Sequence, residues 1–272
     1  MSAHAVTFRV RSGRVERLSQ EASLLEASLG LPEGAYTTLR THGGRGVVRL
    51  SQHVARLNET AALLGRESGL SEGETRAALG ECLTSTAFSE SRLRLTWAAP
   101  DLYVTVEPFE ALPDRLYEQG VRCATLDVRR HNPHAKDTRF IATASAALGR
   151  LPPDAHEGLL VADDGAILEG LSSNFFAVVD GVVRTEGKRA LAGVTRSLVL
   201  EVAQGLLPVE ARAVTRDAIA RASEAFITSA SRGILPVVAI DAREVGAGRP
   251  GHVTAELRRR FAALVAREAR PV

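Results

Sequence analysis

The chain has 272 residues, 45% hydrophobic and 24% charged, which suits one or two globular domains with a sizeable core. No apolar run reaches the roughly 18 residues that a membrane span needs, and residues 1–10 lack the apolar centre of a signal peptide. A formal net charge of +2 with scattered basic residues excludes a nucleic-acid stripe, and Cys82 and Cys123 give neither a disulfide framework nor a metal-type spacing, so a reducing cytoplasm is expected.

Residues 36–40 read as a short strand. Ser51 is placed to cap a helix over 52–64, where Val54, Leu57, Ala61 and Leu64 recur at helical spacing and Gly65 ends the run. A second helix is expected over 72–84. Residues 92–97 and 102–107 alternate with period two and predict an antiparallel strand pair. The proline-bounded stretch 108–113 reads as a connector. It divides a smaller N-terminal α/β domain, 1–110, from a larger C-terminal α/β domain, 111–272. In the second part, strands are expected over 121–128, 158–162, 167–169, 174–179, 182–185, 224–228 and 237–240. Asp180-Gly181 between two of them is the strongest hairpin signal. Helices are expected over 142–148, 195–204 and 253–267, with a short one after Thr215. The class is α+β.

Lysine usage is unusual. Of 34 basic residues, only Lys136 and Lys188 are lysine and the rest are arginine. A guanidinium stays protonated, whereas a desolvated lysine amine can attack a carbonyl, so a surviving lysine invites amine chemistry. Gly246-Ala-Gly-Arg-Pro-Gly251 matches a dinucleotide pattern but lacks a following strand, and a turn is expected. His131 and His134, separated by Pro133, suggest a polar loop rather than a metal site. Three stretches suit ligand contacts: Glu169-Gly-Leu-Ser-Ser-Asn174, Leu191-Ala-Gly-Val-Thr-Arg196 at a helix start suited to phosphate, and Thr228-Ser-Ala-Ser-Arg-Gly233. Each on its own also reads as an ordinary polar turn or helix cap.

The order of these pieces resembles the class IV aminotransferases, also called fold type IV. The matching run is Gly34-Ala-Tyr-Thr-Thr-Leu-Arg40, His53-Val-Ala-Arg-Leu57, Lys136, Glu169 to Asn174, Ala192-Gly-Val-Thr-Arg196, and Ile227-Thr-Ser-Ala-Ser231 with Pro236-Val237. The resemblance implies a two-domain enzyme with pyridoxal 5'-phosphate in the cleft between domains. It makes Lys136 the catalytic Schiff-base lysine. Glu169 becomes the acid at the pyridine nitrogen, and Arg56, Val194 and Thr195 become phosphate contacts. Ser173, Asn174, Ser229, Ala230 and Ser231 complete the cofactor set. Tyr36, Thr38, Arg94, Trp97 and Arg129 line the substrate pocket.

An aminotransferase acting on an amino acid and a 2-oxo acid is the first expectation. The alternative is 4-amino-4-deoxychorismate lyase, whose branch the pair Thr37-Thr38 resembles. A third reading is a cofactor-binding protein without turnover. The family also implies a homodimer. Leu31-Pro-Glu-Gly34 replaces a common Gly-Asp-Gly run, Arg139 stands where asparagine is frequent, and the strand ending in Trp97 lacks the carboxylate-binding arginine of D-amino acid transaminases.

Overall fold

The computed structural model describes residues 4–67 and 69–272, so part of the stretch read for a signal peptide lies outside the described residues. The chain forms two compact units. One runs to Glu110 and adds Ala135–Thr143 and Val265–Val272; the other comprises Ala111–His134 and Ala144–Leu264. Lys136 therefore packs with the first unit, although it lies beyond the connector in sequence.

The first unit is built on a five-stranded antiparallel sheet in the order Arg14–Glu21, Ala5–Arg11, Asp101–Pro108, Ser91–Ala98, Ala35–Arg40. Register places Phe8 beside Val104, Val104 beside Leu95 and Leu95 beside Thr37. Because side chains alternate across a strand, this row shares one face, and its first three members pack with Val54 and Leu57 of helix Leu50–Leu63 and Leu79 of helix Glu72–Thr86. Thr37 thus ends an apolar row with a hydroxyl. Tyr36, Thr38 and Arg94, paired with Thr38, belong to the opposite face.

Helix Leu50–Leu63 differs from expectation at its start. Arg49 precedes it in the left-handed region, φ 53°, with no side-chain cap, and Ser51 lies within the first turn. The Arg49 guanidinium grips the Glu268 carboxylate instead, with Nη2 to Oε1 at 2.8 Å. The buried stripe is also wider than the apolar spacing suggests, because His53, Arg56 and Thr60 are buried beside Val54, Leu57 and Ala61. Strands Ala5–Arg11 and Arg14–Glu21 were not foreseen. The second is largely exposed, and pairing rather than pattern defines it.

In the second unit, strands Asn174–Val179, Ala222–Ser229, Gly233–Ile240, Val121–Leu126, Ala155–Val161 and Ala166–Gly170 follow one another in hydrogen-bonded order. A further antiparallel pairing of Asn174 with Glu169 joins the last to the first and closes the sheet on itself. The strand Asn174–Val179 is apolar throughout because both its faces are buried. Phe175, Ala177 and Val179 enter one core cluster, while Phe176 and Val178 enter another with Val199, Val253 and Leu257. Phe176 stacks on its cross-strand partner Phe226 with centroids 4.9 Å apart. The connector leads into a short helix, Asp114–Gln119. After Thr215 the expected helix is a 3-10 turn, Asp217–Arg221, whose Ala218 N–H donates to the Thr215 hydroxyl.

Two histidines of the first unit titrate abnormally. Burial, then the neighbouring Arg40, pushes His42 from its ordinary 6.5 down to about 4, and burial with Arg56 and Lys136 pushes His53 well below 6.5. The unfolded chain takes up these protons near 6.5 while the folded chain refuses them. The contribution of His42 to stability is therefore complete above pH 6.5 and is lost as pH falls toward about 4, and that of His53 declines in the same direction. Urea midpoints measured across that window should decline on acidification, and His42→Gln should flatten part of the decline.

Candidate active site

In the first unit the edge strand Ala35–Arg40 organises a buried polar cluster. The Tyr36 N–H donates to the Lys136 carbonyl at 2.8 Å, and the Lys136 N–H donates to the Thr60 hydroxyl at 3.2 Å. These bonds fix the lysine main chain against a strand and a helix at once. Its ammonium nitrogen lies 4.6 Å from the centre of the Tyr36 ring. The side chain is half-buried, whereas Lys188 lies exposed in a turn whose Lys188 N–H donates to Glu186. Tyr36 also meets the Arg94 guanidinium at 5.1 Å. Arg94 donates to the Ser28 hydroxyl at 2.7 Å and to the Thr38 hydroxyl at 3.4 Å. Trp97 turns its indole N–H to the Glu67 carbonyl.

Arg56 is not the solvated helix charge that its spacing off the apolar stripe allows. It is 8% exposed, and its Nη2 donates to the Thr37 hydroxyl at 2.6 Å. That hydroxyl lies 2.6 Å from His53 Nδ1. With one lone pair taken by the arginine, the hydroxyl still has a proton and a second lone pair for the imidazole, so the contact suits either neutral tautomer of His53. This agrees with the downward shift of His53, which burial chiefly causes.

In the second unit Glu169 has a side chain only 3% exposed. Its Oε1 accepts from Arg130 Nε at 2.9 Å and its Oε2 from the Leu191 N–H at 3.1 Å. Asn174, its partner across the closing pair, donates from Nδ2 to the Leu191 carbonyl at 2.8 Å. The two paired residues therefore grip both backbone groups of Leu191, just ahead of helix Val194–Ala203. That helix begins after Gly193, which offers no side-chain cap, and a Cβ there would meet Asn174 Oδ1 at 2.1 Å. An uncapped helix start presents N–H groups suited to an anion.

Ser173 donates to the Glu157 carboxylate, and Ser229, Ala230 and Ser231 form a half-buried turn at the end of strand Ala222–Ser229. Arg129 is exposed and bonded to Asp163. Its neighbour Arg130, which the sequence reading did not name, is the arginine that meets Glu169. His53, Thr37, Glu157 and Arg232 also escaped the sequence reading. The first two and Arg232 stand inside stretches already quoted, whereas Glu157 carries no motif of its own.

The Arg130–Glu169 pair is buried on both sides, 7% and 3% exposed. Removing one partner of such a pair strands a charge and costs about 3–5 kcal/mol. Arg130→Met should lower the thermal midpoint, and adding Glu169→Gln should restore part of the loss. Additive losses in a double-mutant cycle would show that the two side chains are not coupled.

A family model described as amino-transferase class IV matches residues 34–240. The branched-chain-amino-acid aminotransferase of Pseudomonas aeruginosa is 30% identical over 266 residues, covering 89% of this chain and 85% of its own length. The D-alanine aminotransferase of Bacillus licheniformis is 28% identical over 240 residues, covering 82% and 84%. Among solved structures, a T.th. branched-chain amino acid aminotransferase with pyridoxamine 5'-phosphate has a TM-score of 0.80 at 25% identity, over 96% of this chain and 94% of its own. The same protein has also been solved in complex with N-(5'-phosphopyridoxyl)-L-glutamate. A family match through residues 34–240 and a relative at 30% identity, over residues arranged as above, establish that the chain belongs to the class IV aminotransferases.

Proposed function

We propose that the chain moves an amino group from an amino acid to a 2-oxo acid, using pyridoxal 5'-phosphate held on Lys136. The observation that carries this reading is the fixing of the Lys136 main chain by Thr60 and Tyr36, beside the buried Arg56 and its threonine–histidine support. The other residues suit the same cofactor. Each oxygen of Glu169 accepts one bond and keeps a lone pair for a further N–H. The uncapped start of helix Val194–Ala203 suits a phosphate.

Bound, the cofactor supplies an aldehyde for the lysine amine and a pyridinium that takes up the electron pair left when a Cα proton departs. In this reading Lys136 Nζ takes that proton and returns it. Glu169 favours a proton on the ring nitrogen by its charge, and Arg130 holds the carboxylate in place. Arg56 with the Val194 and Thr195 amides binds the phosphate, with Ser173, Asn174, Ser229, Ala230 and Ser231 around the cofactor. Tyr36, Thr38, Arg94 and Trp97 would contact the substrate, Arg94 offering a fixed charge to a carboxylate. Arg129 has the least support, being exposed on Asp163. The named relatives are aminotransferases for branched-chain amino acids and D-alanine, which favours transfer over the lyase reading. A homodimer in the cytoplasm goes with this proposal. Leu25 and Leu29 are exposed apolar side chains of the kind an interface covers.

Borohydride treatment followed by peptide mapping should find the cofactor on Lys136. Lys136→Ala should abolish the adduct, and Lys188→Ala should leave it intact. Labelling at Lys188 alone would refute the assignment.

Amino-group transfer should require both an amino acid and a separate 2-oxo acid. A lyase needs one substrate and releases pyruvate, and a simple binder does neither. Glu169→Gln should keep the cofactor yet lower kcat by about two orders of magnitude, in line with a lost electrostatic contact at developing charge. Parental kcat in that variant would remove the electron-sink role of Glu169.

A further inference from the structure

A second buried acid in the second unit, given no part in the reaction described above, organises a group of serine hydroxyls. Glu157, on strand Ala155–Val161, is 0% exposed. Its Oε2 accepts from Arg232 Nη2 at 2.8 Å, from the Ser172 hydroxyl at 2.8 Å and from the Ser173 hydroxyl at 3.2 Å. Arg232 Nη2 also donates to the Ser172 hydroxyl and carbonyl. The cluster is tight enough to require Gly170, where a Cβ would fall 2.2 Å from Ser173 Oγ and 3.1 Å from Glu157 Cγ.

A different nitrogen of the Arg232 guanidinium faces Ser229. Its Nε donates to Ser229 Oγ at 3.0 Å, and the Arg232 N–H donates to the same oxygen at 3.3 Å. Tyr117 Oη holds the Arg232 carbonyl at 2.9 Å, fixing the turn from behind. The serines are thereby sorted. Ser172 and Ser173 give their protons to Glu157. Ser229 accepts twice, so both lone pairs of its oxygen are taken and its single proton must point to another acceptor. A hydroxyl in that state can only donate, which matches an oxyanion and mismatches an ammonium or an N–H.

We propose that Arg232, anchored on Glu157, is a positioning residue that presents the Ser229 hydroxyl as a hydrogen-bond donor to an oxyanion, either the cofactor phosphate or the substrate carboxylate. This rests on the reading of Ser229 as a ligand contact. The guanidinium is suited to the task because its rigid fork serves the carboxylate with one nitrogen and the serine with another. A lysine offers a point charge that satisfies Glu157 but cannot fix both.

The test uses full-length protein stripped of cofactor and titrated with pyridoxal 5'-phosphate and with pyridoxal, followed by the KM of the reloaded enzyme for its amino acid. Arg232→Gln should reduce the preference for the phosphorylated form about tenfold if the oxyanion is the phosphate, or raise KM about tenfold if it is the carboxylate, as expected for a weakened hydrogen bond to a charged group. Arg232→Lys keeps the charge beside Glu157, so it should fold with a melting temperature near the parent's and still show the loss. It decides the matter should Arg232→Gln not fold. Full restoration by lysine, or neither quantity moving, overturns the proposal. Ser229→Ala tests the underlying reading separately. If it changes one of the two quantities while the Arg232 variants change neither, Ser229 is a contact and Arg232 does not orient it. If Ser229→Ala changes neither, the contact itself is wrong and the proposal falls with it.

Discussion

The chemistry of the second unit depends on the backbone pairing of Asn174 with Glu169. Residues directly opposite in antiparallel strands share a sheet face, so the two side chains are committed to the same side before any packing is considered. There they take the two backbone groups of Leu191, one by its N–H and one by its carbonyl. The start of the following helix is thereby set relative to the carboxylate through covalent geometry and short bonds rather than through a flexible loop. Strand Asn174–Val179 is buried on both faces, Phe175, Ala177 and Val179 among strand residues of the closed sheet and Phe176 and Val178 under helices Val194–Ala203 and His252–Glu268, which explains an apolar run in place of alternation.

The first unit reaches an ordered polar cluster by another route. An apolar row across the sheet ends in Thr37, and a buried hydroxyl is costly unless bonded. Thr37 is bonded twice, accepting from Arg56 and sharing a hydrogen bond with His53. The cost of burying a guanidinium is partly offset in the same way, and the neutral histidine avoids adding a further charge. The strand that carries Thr37 inward carries Tyr36 and Thr38 on its other face, where Arg94 lies. One strand therefore serves two polar environments because its side chains alternate.

Much of this was legible from residue order. The strand pair ending at Trp97 and the Asp180-Gly181 hairpin follow local rules, and both hairpin residues take positive φ, 53° and 76°. Lysine scarcity left Lys136 and Lys188, and six ordered blocks named Lys136, Glu169 and Arg56. What escaped was set by tertiary contact. Strand Arg14–Glu21 has little apolar pattern because one neighbour strand suffices to hold it. The helix cap was assigned to Ser51 because serine caps well, yet Arg49 takes the position and bonds Glu268, which is 219 residues distant in sequence. Adjacent Arg129 and Arg130 are indistinguishable in sequence, and only the fold shows one exposed and the other against Glu169. The Glu157–Arg232 contact spans 75 residues and leaves no local trace.

The exposure of Lys188, together with the half-buried position of Lys136, makes the surface almost blank to reagents that seek lysine amines. Activated esters and aldehydes would find a single exposed lysine, in the turn beside Glu186. The molecule could thus be tethered through one side chain in one orientation, on a turn of the second unit remote in sequence from Lys136. Arginine usage elsewhere preserves solubility and ion pairing without offering competing nucleophiles, so excess aldehyde in solution would meet few adventitious sites on the protein.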